Sequence, residues 1–184
     1  MVSTQTRVLF EAVGDMGKAV VKPIDRAGGA GVLVVDKGDR NLRSALDLVT
    51  EGGTRLAVVQ MYLPQARQGD KRVILLGGKP VGAVLRVPRD DDHRANMHVG
   101  GTVQRAEIDD NDRAISAALA PGLLRLGLHF VGIDVIGGML TEVNVTSPTG
   151  VQEIDRLEGH TGDKRLSAQV MAYVDDLLRR RRPI

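Results

Sequence analysis

Apolar residues along this chain recur with two different periods. Short β-branched runs bounded by Gly, Pro or Asp lie at 19–22, 32–36, 56–61, 72–76, 80–87, 130–136 and 140–145, and runs of that length and punctuation predict strands. Between the fourth and fifth runs stands Gly77-Gly78, a strong signal for a tight antiparallel hairpin, because glycine supplies the positive φ that such turns need. Helical spacing marks 42–49, 112–126 and 166–178. In the last of these Leu166, Val170, Val174, Leu177 and Leu178 form an apolar stripe. Pro121 is expected to kink or split the second helix, since it lacks a backbone donor and clashes with the preceding turn. The stretch 88–102 has no apolar period, carries Arg89-Asp90-Asp91-Asp92-His93-Arg94 and ends near Gly100-Gly101, so it reads as a long mobile loop. Strands and helices alternate in a mixed order without internal repeats, which predicts a mixed α and β fold.

Composition narrows the class. A length of 184 residues allows one domain or two joined lobes. With 42% hydrophobic and 26% charged residues the chain reads as globular, and no apolar run is long enough to span a bilayer as a helix. The first residues lack the basic start, apolar core and small-residue cleavage site of a secretory signal. Cysteine is absent, which removes disulfides, thiolate metal sites and a cysteine nucleophile, and fits a reducing cytoplasm. The net charge of +2 is too small to imply a polyanion partner. The one basic run, Arg179 to Arg182, follows an amphipathic stretch and reads as a solvated helix end. Two Phe, two Tyr and no Trp leave no stacking platform for single-stranded nucleic acid.

Two constellations carry candidate chemistry. In the first, Val20-Val21-Lys22-Pro23 leads through Gly28-Gly29-Ala30-Gly31 into another strand. Glycines let backbone N–H groups approach phosphate oxygens, and the lysine adds a cation. A Walker loop would instead place a helix and a Lys-Ser/Thr pair after the glycines; a plain hairpin turn is the alternative. In the second, Asp134, Glu142 and Asn144 interrupt two otherwise apolar strands, where carboxylates are costly unless paired or bound to a cation. Such oxygen ligands suit Mg²⁺; solvent-facing edge positions or helix caps are the alternative. Strand parity sharpens the point. A two-residue turn at Gly137-Gly138 would put Asp134 opposite Thr141 and turn Glu142 to the other face. A three-residue loop, 137–139, places Asp134 opposite Glu142 with Asn144 on the same face, a face also expected to meet Lys22, and this loop is the expectation. His93, His98, His129 and His160 have no metal-ligand spacing and read as surface or structural.

The motifs resemble those of bacterial glutathione synthetase from about residue 20 to 155. The residues carrying the resemblance are Lys22-Pro23 with Gly28-Gly29, Gln60-Met61-Tyr62-Leu63-Pro64, Gly69-Asp70-Lys71-Arg72, Arg86-Val87-Pro88, Asn96 with Gly100-Gly101, Phe130 to Asp134, and Thr141-Glu142-Val143-Asn144-Val145-Thr146-Ser147-Pro148-Thr149. The resemblance implies an α+β ATP-grasp fold filling 1–184, with a smaller lobe at 19–63 and a larger catalytic lobe at 64–184, their antiparallel sheets gripping ATP. It implies ligation of γ-glutamylcysteine to glycine through an acyl phosphate, with ATP and Mg²⁺, or Mn²⁺, as cofactors. By position Lys22, Gly28, Gly29 and Gly31 would contact phosphates, Gln60, Met61, Tyr62 and Leu63 the adenine, and Asp70 the ribose. Asp134, Glu142 and Asn144 would hold the metal. Arg72 and Arg86 would act in catalysis by stabilising charge on the transferred group. Asn96, Gly100, Gly101, Thr146, Ser147 and Thr149 would line the substrate side.

The sequence also departs from the family. Its members carry a further N-terminal domain of more than about a hundred residues, of the size of an ordinary domain, and an upstream lysine; neither is matched here. The loop is altered, with His98-Val99 before Gly100-Gly101 and Thr102-Val103 after. The expected partners are a small-molecule acid and amine, and either a second copy of the chain or a separately encoded N-terminal domain covering an exposed apolar patch; nucleic acid and membrane are not expected. Alternative readings are a non-catalytic ATP/Mg²⁺-binding module and a ligase for a different acid and amine.

Overall fold

The computed structural model describes residues 1–26, 28–88 and 102–181. The loop expected at 88–102, with Asn96, Gly100, Gly101, His93 and His98, lies outside the described residues apart from its ends. The chain divides into two compact units, Met1–Pro64 and a second built from Gln65–Pro88 and the chain after residue 101.

The first unit contains β1 (Val2–Ser3), α1 (Thr6–Met16), β2 (Lys18–Pro23), β3 (Leu33–Asp36), α2 (Leu42–Val49) and β4 (Ala57–Met61). Its antiparallel sheet has the order β1-β4-β2-β3. Along β2 the residues alternate, with Ala19, Val21 and Pro23 buried, the period of a half-buried strand. Ala19 and Val21 meet Leu9, Val13, Leu42, Leu46 and Val59 in one apolar core. The sequence expectation omitted α1, although Leu9, Ala12, Val13 and Met16 follow helical spacing. The helix stops at Gly17, whose φ of 77° is open to glycine and whose N–H returns to the Val13 carbonyl at 2.9 Å.

The second unit contains β5 (Asp70–Leu76), β6 (Lys79–Val87), β7 (Thr102–Arg105), α3 (Asp110–Arg125), β8 (Phe130–Ile136), β9 (Met139–Asn144), α4 (Val151–Glu158) and α5 (Leu166–Arg181), with short 3-10 turns at Pro64–Gln68 and Gly162–Lys164. The sheet runs β7-β6-β5-β8-β9, antiparallel throughout. Strand alternation sends Val73, Leu75, Ile133 and Val135 to one face, where Leu119 and Leu123 of α3 cover them. Ile74 and Val84 take the other face and pack against Ile154 of α4 and Leu166 of α5. Two antiparallel sheets with helices make this the α+β fold that was expected.

Several expectations need correction. Helix α3 runs through Pro121 as one element; a single lost donor does not end a helix whose buried Leu123 anchors its last turn. Helix α4 was missed because its eight residues start at Gly150 without a capping side chain. Of the α5 stripe only Leu166 is fully buried, and Val174 and Leu178 face solvent. The β8–β9 connection is the two-residue turn Gly137-Gly138, with φ of 56° and 80°, the left-handed pair that tight hairpins favour. The expected three-residue loop is absent, yet Asp134 does pair with Glu142, because the register shifts between Asp134 and Val135 and leaves Thr141 as a bulge residue.

Candidate active site

The upper part of the second sheet gathers charge on one face. Asp70 lies directly opposite Arg86, Arg72 opposite Asp134, and Asp134 opposite Glu142, while Asn144 pairs with Gly132 two positions along. Side chains two apart on a strand share a face, so these six belong to one surface. Arg72 bonds both oxygens of Asp134, its Nε to Oδ1 and its Nη2 to Oδ2 at 3.0 Å. Arg86 Nη2 bonds Asp70 Oδ2 and also lies 3.0 Å from Asp134 Oδ2. Asn144 Nδ2 donates to Asp134 Oδ2 at 3.2 Å, and the bulge residue Thr141 donates its hydroxyl to the Asp134 carbonyl at 3.1 Å. Asp134 is 2% exposed, Arg86 3% and Arg72 5%. Charges this deep are tolerated because each meets an opposite charge in a hydrogen-bonding geometry.

Burial costs Asp134 its charge in principle, but the Arg72 hydrogen bond and the Arg86 and Arg72 charges outweigh it and hold this carboxyl below the usual range. Burial pushes Asp70 up to about 7, the neighbouring Asp134 charge adds to that, and Arg86 only partly offsets it. With two guanidinium groups on Asp134 and one on Asp70, Asp70 is the carboxyl that takes a proton first. Burial opposes the Arg86 charge, yet Asp134 and Asp70 together raise its pKa. Two polar atoms of the cluster, Asp70 Oδ1 and Arg86 Nε, are buried without a hydrogen-bond partner among the described residues.

The segment after β9 closes over this face. Ser147 adopts a left-handed backbone with φ of 46°, uncommon for a residue with a Cβ, and Pro148 is buried. A Cβ at Gly132 would stand 2.8 Å from Pro148 Cβ and 3.1 Å from Arg72 Cδ, so glycine is required beneath both. Thr146, Ser147 and Thr149 are exposed. On the opposite face lies an arrangement the sequence reading did not single out. Lys71 Nζ bonds Asp109 at 2.6 Å and Asp112 at 2.8 Å, Asp109 and Asp112 form a reciprocal capping box on α3, and Asn111 Nδ2 holds the Gly138 carbonyl at 2.9 Å. An acidic residue followed three positions later by another just before a helical run was the available signal.

Within the first unit Lys22 lies on β2 opposite Val58, and Gln60 and Met61 close β4 opposite Val20 and Ala19. Tyr62 donates its backbone N–H to the Lys18 carbonyl at 3.1 Å, and Leu63 follows half-buried. Gly28, Gly29 and Gly31 all have positive φ, of 69°, 76° and 77°. A Cβ at Gly31 would come within 3.0 Å of the Pro23 ring, so the loop folds closely back on the end of β2.

The donor set offers hard oxygens to a divalent cation. Glu142 comes within hydrogen-bonding reach of Asp134 and stands opposite it across the β8–β9 pair. Asp134, Glu142 and the Asn144 amide share one face and offer oxygen donors of the kind a hard divalent cation takes, although no group of three or more His, Cys, Asp or Glu at metal-binding separation occurs among the described residues. His129 Nδ1 instead meets Tyr173 Oη at 3.0 Å, and His160 Nδ1 meets Asp155 at 3.2 Å. No helix among the described residues is long and apolar enough to cross a membrane.

Comparison with known proteins gives the family and the fold. The family model described as prokaryotic glutathione synthetase, ATP-grasp domain, matches residues 1–159. Among similar curated proteins, the glutathione synthetase of Thermosynechococcus vestitus is 53% identical over 174 residues, covering 95% of this chain and 54% of the relative. That of Synechococcus elongatus is 50% identical over 169 residues, covering 91% and 52%. The chain thus spans about half the length of the curated relatives it matches. Among solved structures, D-cycloserine synthetase superposes with a TM-score of 0.68 at 17% identity, over 94% of this chain and 60% of that one. A D-alanine–D-alanine ligase from Bacillus anthracis gives 0.60 at 17% identity, over 93% and 59%. At that identity the likeness establishes the ATP-grasp fold.

Proposed function

The chain belongs to the prokaryotic glutathione synthetase ATP-grasp family, and from that premise we propose that it is the nucleotide-binding and phosphoryl-transferring part of a carboxylate–amine ligase. The observation that carries the reading is the buried cluster in which Asp134 is held by Arg72 and Arg86 directly opposite Glu142. In the proposed reaction a substrate carboxylate attacks the γ-phosphorus of ATP, forming an acyl phosphate and releasing ADP. The amine of the second substrate attacks the acyl carbon, and phosphate departs as the amide forms. The acid is γ-glutamylcysteine and the amine glycine.

The chain's own residues would supply positioning and electrostatics, which is most of what phosphoryl transfer asks of a protein. The backbone N–H groups around Gly28, Gly29 and Gly31, with Lys22, meet phosphate oxygens. Gln60 to Leu63 meet the adenine and Asp70 the ribose. Asp134, Glu142 and Asn144 would hold Mg²⁺, which when bound neutralises charge on the phosphates. Arg86, which lies between Asp70 and Asp134, stabilises charge on the transferred group, and Thr146, Ser147 and Thr149 line the acceptor side. Asn96, Gly100 and Gly101 complete the substrate side in this reading, and the protein works in the cytoplasm.

The test is ADP and phosphate release by the purified chain with ATP, Mg²⁺, γ-glutamylcysteine and glycine. Turnover that needs both acid and amine supports the reading. Nucleotide binding without turnover points to a binding module or to a catalyst completed by a partner, and turnover with other acids and amines in a panel redirects the substrate. Lys22→Ala is expected to weaken Mg²⁺–ATP binding in calorimetry while leaving the fold intact; unchanged affinity removes the phosphate role of Lys22.

A further inference from the structure

We infer that Arg72 is a positioning residue that ties the Asp134 carboxylate to the 146–150 segment, so that the metal-binding face and the acceptor-side segment are set by one side chain. Its Nε and Nη2 clasp both oxygens of Asp134. Its Nη1 donates to the Thr149 carbonyl at 3.0 Å and approaches the Thr149 hydroxyl at 3.4 Å. A guanidinium has five N–H donors in a fixed planar fork, and these contacts engage four of them. The side chain is 6% exposed and lies in a slot cut by two glycines: a Cβ at Gly132 would press on Arg72 Cδ at 3.1 Å, and one at Gly150 would reach Arg72 Cγ at 3.4 Å.

The other arginine of the cluster is built differently. Arg86 bonds acidic partners through Nη2, and its buried Nε has no partner among the described residues. The two arginines therefore differ: Arg86 bonds acidic side chains, Asp70 and Asp134, whereas Arg72 spans from the Asp134 carboxylate to the backbone carbonyl of Thr149. A planar fork can hold a carboxylate on one edge and a carbonyl on another at fixed separation, which a lysine cannot. Val145 to Val151 includes Ser147 at positive φ, and a strained segment keeps its shape only while its surroundings over-determine it. Arg72 is a large part of those surroundings.

The tie itself is independent of turnover; what it serves rests on the ligase reading. Hydrogen exchange followed by mass spectrometry on the full chain tests it. Arg72→Lys is expected to speed exchange across 145–151 by about tenfold or more while peptides from β2 and β4 change by less than about twofold, since local opening is governed by local contacts. Asp134→Asn, which conserves volume, is expected to loosen the same segment even though the Thr149 bonds come from Arg72. Unchanged exchange at 145–151 in folded Arg72→Lys overturns the inference, as does a loosened segment in Arg72→Lys with a wild-type segment in Asp134→Asn. Should Arg72→Lys fail to fold, Asp134→Asn alone decides. Where the chain turns over, Arg72→Lys should raise the amine KM about tenfold with kcat within about threefold, and Arg86→Lys should chiefly lower kcat. A kcat loss at constant KM in Arg72→Lys returns Arg72 to direct charge stabilisation. Absence of turnover defeats the ligase reading but leaves the exchange result to judge the tie.

Discussion

The two units solve the problem of charge in opposite ways. In the first, the core of Leu9, Val13, Val21, Leu46 and Val59 is apolar throughout, and the ion pairs stand outside it: Arg7 with Glu11, Lys18 with Asp36, Arg55 with Glu51. In the second, Arg72, Arg86 and Asp134 are buried beside Ile74 and Val84. Every buried side-chain polar atom found without a partner among the described residues belongs to this second unit. Stability alone does not favour such an arrangement, because desolvating charges costs what their attraction returns. The lesson is that the first unit is held by packing and offers backbone and surface to a ligand, whereas the second keeps a charged cluster where chemistry can use it.

The contrast is broken most directly at Asp134. Asp134→Ala leaves two buried guanidinium groups short of a partner and is expected to cost about 3–5 kcal/mol of unfolding free energy in urea titration; a cost under about 1 kcal/mol would mean the cluster is solvated in practice. In the first unit the comparable loss should come from packing. Leu46→Ala, at a fully buried position, is expected to cost about 2–5 kcal/mol by the same measurement.

Asp70 sharpens the comparison through pH. Its folded pKa of about 7 stands above the usual value of 3.8, so between those values the folded chain holds a proton that the unfolded chain has lost. Stability contributed by this group is therefore full below about pH 4 and falls as pH rises toward 7, by an amount on the order of a few kcal/mol. Asp134, with its lowered pKa, acts in the other direction and contributes stability that is lost as pH falls below the ordinary carboxylate range. Asp70→Asn should flatten the decline between pH 4 and 7; an unaltered pH profile of thermal unfolding would assign the decline elsewhere. The smallest effect belongs to the exposed pair of the first unit. Asp36→Asn, at 3.8 Å from Lys18, should change stability by less than about 0.5 kcal/mol, and a larger loss would show that surface charge matters there after all.

Much of this was legible in the chain. The alternation of β2, the Gly77-Gly78 hairpin and helix 42–49 follow from local periodicity and turn chemistry, which act over a few residues. Asp134 also stood out, because it interrupts an apolar strand where an unpaired charge is costly, whereas Glu142 lies exposed on the edge strand β9, the solvent-facing alternative. Helices α1 and α4 were overlooked for different reasons: the first has the spacing in plain view, and the second is too short and uncapped to be stable except against Ile74 and Val84. The β8–β9 hairpin is the instructive case. Parity reasoning required one extra residue between Asp134 and Glu142 and placed it in the turn; the fold placed it at Thr141 as a bulge. Both solutions satisfy the same parity, so parity could not choose between them.

By itself the sequence determined which residues could carry charge, which glycines could turn the chain and which family the pattern belongs to. It did so because each of those depends on residue type and short-range spacing. Tertiary structure alone decided that Arg72 faces Asp134 across β5 and β8, that Arg86 is shared by Asp70 and Asp134, and that Thr149 returns to the same guanidinium. These partners are separated by 62, 16 and 77 positions in the chain. Contacts at such separations arise from strand order and register, which no local preference specifies, and the pKa of a carboxyl follows from the partners that register brings to it.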